Sequence, residues 1–234
     1  MVGLGTIINT LAILGGGLLG ILLGRFLKQP VQDALTKACG VGTIFIAIFG
    51  ATEQMKVVAD GGAMLIVICL TLGTLLGELL GIDRGFERFG AWLKQKTGNS
   101  RDNRFVEAFV TASFTVCIGA MAIVGSIQDG LLGDYSILAT KAVLDLVIIM
   151  AMTASLGKGA VFSAIPVAVL QGSVTVLAGL LKDVMTDAAM ANLSLVGNIL
   201  IFCVGVNLLF GKTVKVANML PAIVIAVIAA FLPL

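Results

Sequence analysis

The chain has 234 residues, of which 59% are hydrophobic and only 12% charged, with no histidine and a net charge of +2. A soluble domain carries roughly 25% charged residues, so the composition excludes a soluble globular protein and implies a single domain whose partner is the lipid bilayer. Nothing in it asks for nucleic acid, and the small net charge matters less than its distribution.

Crossing the hydrocarbon takes about 20 apolar residues. On that measure the sequence predicts eight helices, at 4–24, 35–52, 61–81, 104–126, 136–156, 159–181, 193–210 and 216–233. Residues Met1 to Gly5 lack the basic stretch of a signal peptide, so the first run is expected to stay as a span. Between the third and fourth spans lies a polar segment, 83–103. Within it Phe86, Phe89, Trp92 and Leu93 recur at helical spacing against Arg88, Lys94 and Lys96, the pattern of an amphipathic helix at a membrane surface.

Lys and Arg divide unevenly between alternate loops. One set holds Arg25, Lys28, Lys37, Arg84, Arg88, Lys94, Lys96, Arg101, Arg104, Lys158, Lys212 and Lys215, and the other only Lys56 and Lys182 beside Glu53, Asp60, Asp129, Asp134, Asp183 and Asp187. By the positive-inside rule the basic set is cytoplasmic. Both termini are then expected outside the cytoplasmic (inner) membrane.

Two stretches of the chain resemble each other. Leu14-Gly-Gly-Gly-Leu-Leu-Gly20, a connector, and Val41-Gly-Thr-Ile-Phe-Ile-Ala-Ile-Phe-Gly50 are echoed by Leu170-Gln-Gly-Ser-Val-Thr-Val176, a connector of similar length, and Val196-Gly-Asn-Ile-Leu-Ile-Phe-Cys-Val-Gly205. Further on, Lys56 and Met64-Leu65 are echoed by Lys215 and Met219-Leu220. The copies start five helices apart, an odd number, which orients them oppositely across the membrane. The expected fold is therefore all-α: an inverted 3+3 repeat around a central two-helix pair. Repeat A covers 1–82, the cytoplasmic amphipathic segment 83–103, the central pair 104–156 and repeat B 158–234. Inverted repeats are a mark of secondary transporters, whose sites lie near the midplane at broken helices.

The central pair carries the residues that invite chemistry. On the fourth helix Glu107, Thr111, Thr115, Gly119, Ala122 and Ser126 share one face, followed by Gln128 and Asp129. Such a stripe either packs helices closely or lines a solute path. On the fifth, Lys141 and Asp145 stand four residues apart in an apolar run, on one face and about 6 Å apart along the axis. A charge at that depth is costly and commonly marks a pathway or binding site. The pair can fix the bundle, couple transport to a proton or cation at Asp145, or touch a charged substrate. On the sixth helix Pro166 removes a donor and is expected to kink the helix, with Ser163 and Gln171 close enough to serve the loosened backbone or a solute. Asn9, Asn198 and Asn207 are further amides within spans, and Gly16-Gly20-Gly24 and Gly73-Gly77-Gly81 are stripes for close contact within the fold or across a homodimer.

Several chemistries find no support. Cys39, Cys69, Cys117 and Cys203 lie in apolar runs without CxxC spacing and read as small hydrophobes, not as metal or redox groups. Gly205 to Thr213 is one residue too long for a P-loop and follows no strand. No cofactor, metal site or enzyme is expected.

By Glu107-Ala-Phe109, Ser113, the run Cys117-Ile-Gly-Ala-Met-Ala-Ile-Val-Gly-Ser-Ile-Gln-Asp129-Gly, Thr140-Lys-Ala-Val-Leu-Asp145, Phe162-Ser-Ala-Ile-Pro166 and Gln171-Gly172, the chain resembles the YqgA/YdfK-like family over essentially its whole length. The resemblance implies a multi-pass inner-membrane protein of a kind often labelled a transporter, and it brings no residue roles. The reading is a transporter or facilitator of a small polar or ionic solute, with a channel or a structural membrane protein as the alternatives.

Overall fold

The computed structural model of the chain describes residues 2–58, 62–99, 102–118, 120–182 and 184–231. Asp60, Arg101, Gly119, Asp183 and the ends of two expected spans (61, 232 and 233) lie outside the described residues. The elements are helical throughout: α1 Leu4–Gly24, α2 Gln29–Val58, α3 Gly62–Leu80, α4 Ile82–Lys96, α5 Phe105–Cys117, α6 Ala120–Leu132 and α7 Ser136–Leu156. A 3-10 turn, Lys158–Ser163, leads into α8 Ala164–Val176, then α9 Ala178–Leu181, α10 Asp187–Phe210, α11 Val216–Met219 and α12 Pro221–Ala229.

Among the described residues, six helical segments are long and apolar enough to cross a membrane, or seven if α5 and α6 count as one bent span. The eighth expected span is represented by the shorter apolar stretch Val216–Ala229, which falls below the length that crosses hydrocarbon unaided. The expected fourth helix is not continuous. It divides into α5 and α6, whose axes diverge by 61°, at a point where the sequence offers glycine, a weak helix former. The stripe from Glu107 to Ser126 is therefore split between two helices. Nor does Pro166 kink a running helix. The 3-10 turn ends at Ser163 and α8 begins at Ala164, so Pro166 falls in the first turn, where a missing N–H costs nothing.

The chain forms two compact units. The first gathers Met1–Cys39, Glu87–Cys117 and Met121–Leu181. In it α1 and α7 run parallel and very close: a Cβ on Gly16 would strike the carbonyl of Leu146, and one on Gly20 would lie 2.5 Å from the carbonyl of Met150. Gly24 faces Ala154 and Gly17 faces Val161. The Gly16-Gly20-Gly24 stripe thus serves a contact inside the fold. Below it, Leu93 of α4 packs with Phe105 and Phe109 of α5, leaving Phe89 and Trp92 stacked with ring centroids 5.8 Å apart and partly exposed. That is the disposition expected of an interfacial helix.

The second unit gathers Gly40–Phe86, Ile118–Ala120 and Lys182–Leu234. Here α2 and α10 run antiparallel: Gly40 abuts Gly205 and Leu208, and Gly50 abuts Asn198. Gly73 and Gly77 of α3 press on Ala222 and Asn218, again an internal use of a small-residue stripe. Polar side chains in this unit are closed on the backbone. Asn192 donates to the carbonyl of Ala226 at 3.2 Å, Asn198 to that of Ser194 at 2.8 Å, and Asn207 ties down Thr213 and Val214. Gly81, at φ 63°, turns the chain from α3 into α4, a left-handed conformation that glycine adopts without strain. Just beyond, the Asp83 N–H donates to Asn218 at 2.7 Å while its carboxylate holds Lys212 at 2.8 Å. The outward faces of α2 and α3 expose Phe45, Phe49, Val67, Leu72 and Leu79, far more apolar surface than a soluble monomer shows.

The triplet Gly15-Gly16-Gly17 gives a sharp test. Gly15 has nothing within 4 Å of a would-be Cβ, whereas Gly16 meets backbone. Gly16→Ala should lower stability by about 1–3 kcal/mol through overpacking, while Gly15→Ala should stay within about 0.5 kcal/mol of the parent. Unfolding in detergent measures both, and equal effects would contradict the α1–α7 contact.

Candidate functional site

The charged residues inside the first unit are held by geometry that follows from helix periodicity. Lys141 and Asp145, one turn apart on α7, form an ion pair in which Nζ donates to both carboxylate oxygens, at 2.8 and 2.7 Å. Both residues are buried, Asp145 at 2% exposure and Lys141 at 8%. A buried pair is tolerated only when its remaining hydrogen-bonding capacity is met. The close approach of α1 supplies that: Asn9 Nδ2 donates to Asp145 Oδ2 at 3.0 Å. The same Nδ2 donates to Gln171 Oε1 of α8 at 3.3 Å. Three helices, α1, α7 and α8, therefore meet at one chain of polar side chains, Lys141–Asp145–Asn9–Gln171.

The helices that carry this chain also bury further polar atoms. Asn9 Oδ1, Gln171 Nε2, and the hydroxyls of Thr6, Thr153, Ser163 and Thr175 are buried without a hydrogen-bond partner among the described residues. Thr6 lies one turn from Asn9 on α1 and Thr175 one turn from Gln171 on α8, each on the same face as its amide. Ser163, fully buried, closes the 3-10 turn that opens α8. An unsatisfied buried polar group costs about 1–3 kcal/mol, and native structures hold few. Here all those recorded belong to α1, α7 and the segment 158–176.

The other residues singled out in the sequence lie elsewhere. Asp129 is fully buried, and its two oxygens accept from the N–H groups of Gly3 and Gly5, at 3.2 and 3.0 Å. It thereby caps the start of α1, where unpaired amides and the positive end of the helix dipole favour a carboxylate. Ser126 donates to the carbonyl of Ala122 at 2.6 Å and Thr115 to that of Thr111 at 2.8 Å, each within its own helix. Glu107 is exposed, and Thr111 and Gln128 are half-buried. Of the residues singled out, Lys141, Asp145 and Gln171 are joined through Asn9, and Ser163 is buried at the start of α8. Asn9, which links them, was visible only as an amide inside a span, and Thr6 and Thr175 were not visible at all. In the turn before α7, Asp134 accepts from the N–H of Ser136 at 3.0 Å. That bond holds its carboxyl below the ordinary carboxylate range.

Long apolar helices with bare outward faces define a polytopic helical membrane protein. The chain belongs to the family described as "Protein of unknown function (DUF554)", whose model matches residues 4–231. It is 28% identical over 227 residues to the "Uncharacterized membrane protein YdfK" of Bacillus subtilis (strain 168), covering 97% of this chain and 95% of that one. To the "Uncharacterized protein YqgA" of Escherichia coli (strain K12) it is 30% identical over 227 residues, covering 95% and 94%. No solved structure matches.

Removing one member of the buried pair leaves the other charge unmet, so Lys141→Met or Asp145→Leu alone should destabilise by about 3–5 kcal/mol. The double variant should recover much of that loss, and a purely additive loss in detergent unfolding would argue against the pairing. Asp129→Ala should cost about 0.5–2 kcal/mol as the loss of a helix cap, with hydrogen exchange rising first at the start of α1.

Proposed function

We propose that the chain is a secondary transporter or facilitator of a small polar or ionic solute across the cytoplasmic membrane. The observation that carries this reading is the buried Lys141–Asp145 pair joined through Asn9 to Gln171, on helices that also bury polar atoms without a hydrogen-bond partner among the described residues. In this reading Asp145 is the coupling carboxylate and Lys141 its alternate partner. Asn9, Ser163 and Gln171 form the solute-facing group, with Thr6 and Thr175 beside them. Asp129 positions α1, and the residues of α5 and α6 form the walls.

The inverted repeat supports the same reading. Each helix of the first copy meets its own counterpart in the second, and always antiparallel. Asn9 of α1 meets Gln171 in the body of α8, its counterpart, and Gly17 meets Val161 in the turn that leads into it. On α2, Gly40 and Gly50 meet Gly205 and Asn198 of α10, in that reversed order. On α3, Gly73 and Gly77 meet Ala222 and Asn218. Antiparallel pairing of equivalent helices is what a two-fold axis in the membrane plane produces. The division of Lys and Arg among the loops favours both termini outside, with Val216–Ala229 as a short last crossing.

The test is flux in proteoliposomes under an imposed proton or sodium gradient. Asp145→Asn should abolish gradient-dependent uptake while the protein still purifies as a folded species. Undiminished uptake in that variant would sink the assignment of Asp145. Uptake that follows the solute's own gradient, without coupling, would indicate a channel. Full function in the Lys141→Met, Asp145→Leu double variant would reduce the pair to a structural element.

A further inference from the structure

We infer that α4 holds the headgroup of an anionic phospholipid, with Arg88 and Lys96 as its cationic contacts and Trp92 between them. Arg88, Trp92 and Lys96 follow one another at intervals of four. They form one row along the helix, each step turned by about 40°, and the row is about 12 Å long. Phe89 stands beside it, its ring stacked on that of Trp92 with centroids 5.8 Å apart. All four residues are exposed, whereas Gly90 and Leu93 face α5. Arg88 and Lys96 make no ion pair or side-chain hydrogen bond among the described residues. Glu87, the acid nearest along the helix, is turned about 140° from Trp92 around the axis.

Two cations on either side of exposed aromatic rings match one kind of ligand. A phosphodiester takes paired N–H donors from a guanidinium and a point charge from an ammonium. Free phosphate would use the cations and leave Phe89 and Trp92, the latter 54% exposed, in water. A zwitterionic lipid would cover the rings but bring its own ammonium up to Arg88 and Lys96. An anionic phospholipid does both: its phosphate meets the cations while the upper part of its acyl chains covers the rings, at the depth where tryptophan settles. The place in the fold agrees. Gly90 packs on Val106 and Phe109, Gly159 presses on the carbonyl of Phe105, and Gly24 lies against Ala154. These contacts bring α4 to the end of the first unit where Arg25, Lys28 and Lys158 are also exposed. Asp33 and Asp102 at that end are taken up by Arg104, at 3.9 and 3.0 Å. A basic cluster beside a span draws anionic lipid to it.

Trp92 is the chain's single tryptophan, so its fluorescence reports on α4 alone. The full-length protein is placed in bilayers of equal parts phosphatidylglycerol and phosphatidylcholine, with bromine, a contact quencher, on the acyl chains of one lipid or of the other. Surface charge is then the same in both samples and only the label moves. Bromine on phosphatidylglycerol should quench Trp92 more strongly. Arg88→Gln and Lys96→Gln should each cut that preference about fivefold, the worth of one basic side chain at an anionic surface. Both variants should melt like the parent in lipid-free detergent, because neither side chain is bonded within the fold. Lys158→Gln removes a charge from the same end but outside α4 and should leave the preference unchanged. Equal quenching by the two labels overturns the inference. So does a loss with Lys158→Gln as large as with Arg88→Gln, which would mean diffuse attraction and not a site. Quenching by neither label also overturns it, and would leave the row to an acidic soluble partner.

Discussion

Two opposite charges inside an apolar helix bundle have to be satisfied by their own neighbours, and the packing of the first unit follows from that requirement. Lys141 alone does not complete Asp145; the carboxylate takes a further hydrogen bond from Asn9 on α1. A side chain as short as asparagine reaches across only if the two helix backbones nearly touch. Gly16 and Gly20 permit this, since each faces a carbonyl of α7 where a methyl group would not fit. The glycine stripe and the charged pair are therefore one device. Asp129 completes it by holding the first amides of α1, which fixes where along α7 the helix begins and so which turn carries Asn9 past Asp145.

The two units use polar residues differently. In the second, Asn192, Asn198 and Asn207 are bonded to backbone, and the Asp83 N–H donates to Asn218 Oδ1. These residues lock helices and loops, as buried amides do when each group finds a partner. In the first, the charged pair is closed but its periphery is not. Burying six polar atoms without a partner among the described residues, at about 1–3 kcal/mol each, outweighs what one ion pair can return to stability. A bundle selected only to be stable would fill those positions with apolar side chains. That asymmetry between units, more than the presence of charge, separates a site from a brace.

Much of this was legible in the sequence, for identifiable reasons. Lys141 and Asp145 stand out because the apolar run around them makes any charge conspicuous, and their spacing alone puts them on one face. The glycine stripes were equally plain, but sequence cannot tell Gly15 from Gly16, because only the neighbouring helix decides which one is crowded. Periodicity misled on α5 and α6: a stripe can be drawn from Glu107 to Ser126 on paper, yet the axes of the two helices that carry it diverge by 61°. Pro166 misled for a related reason. The 3-10 turn before it starts a new helix, so the proline stands at a beginning and not in a middle. Asn9 was hidden by distance. Its partners lie 136 and 162 residues further along the chain, and nothing local marks one asparagine in a greasy helix as different from another.

The placement of the four linked side chains matters for how a coupled site works. The charged pair sits on α7. The side chains bonded to it in turn sit on α1 and α8. A change in the state of Asp145, by protonation or by exchange of Lys141 for another cation, removes the constraint on Asn9 first and through it the constraint on Gln171. Both α1 and α8 would feel the change at once, through two hydrogen bonds. In the transport reading, the ion pair therefore sets the polarity of the solute-facing amides. Binding and coupling are then linked by which way a side-chain amide is turned, a difference of one hydrogen bond's direction and not of a helix's position.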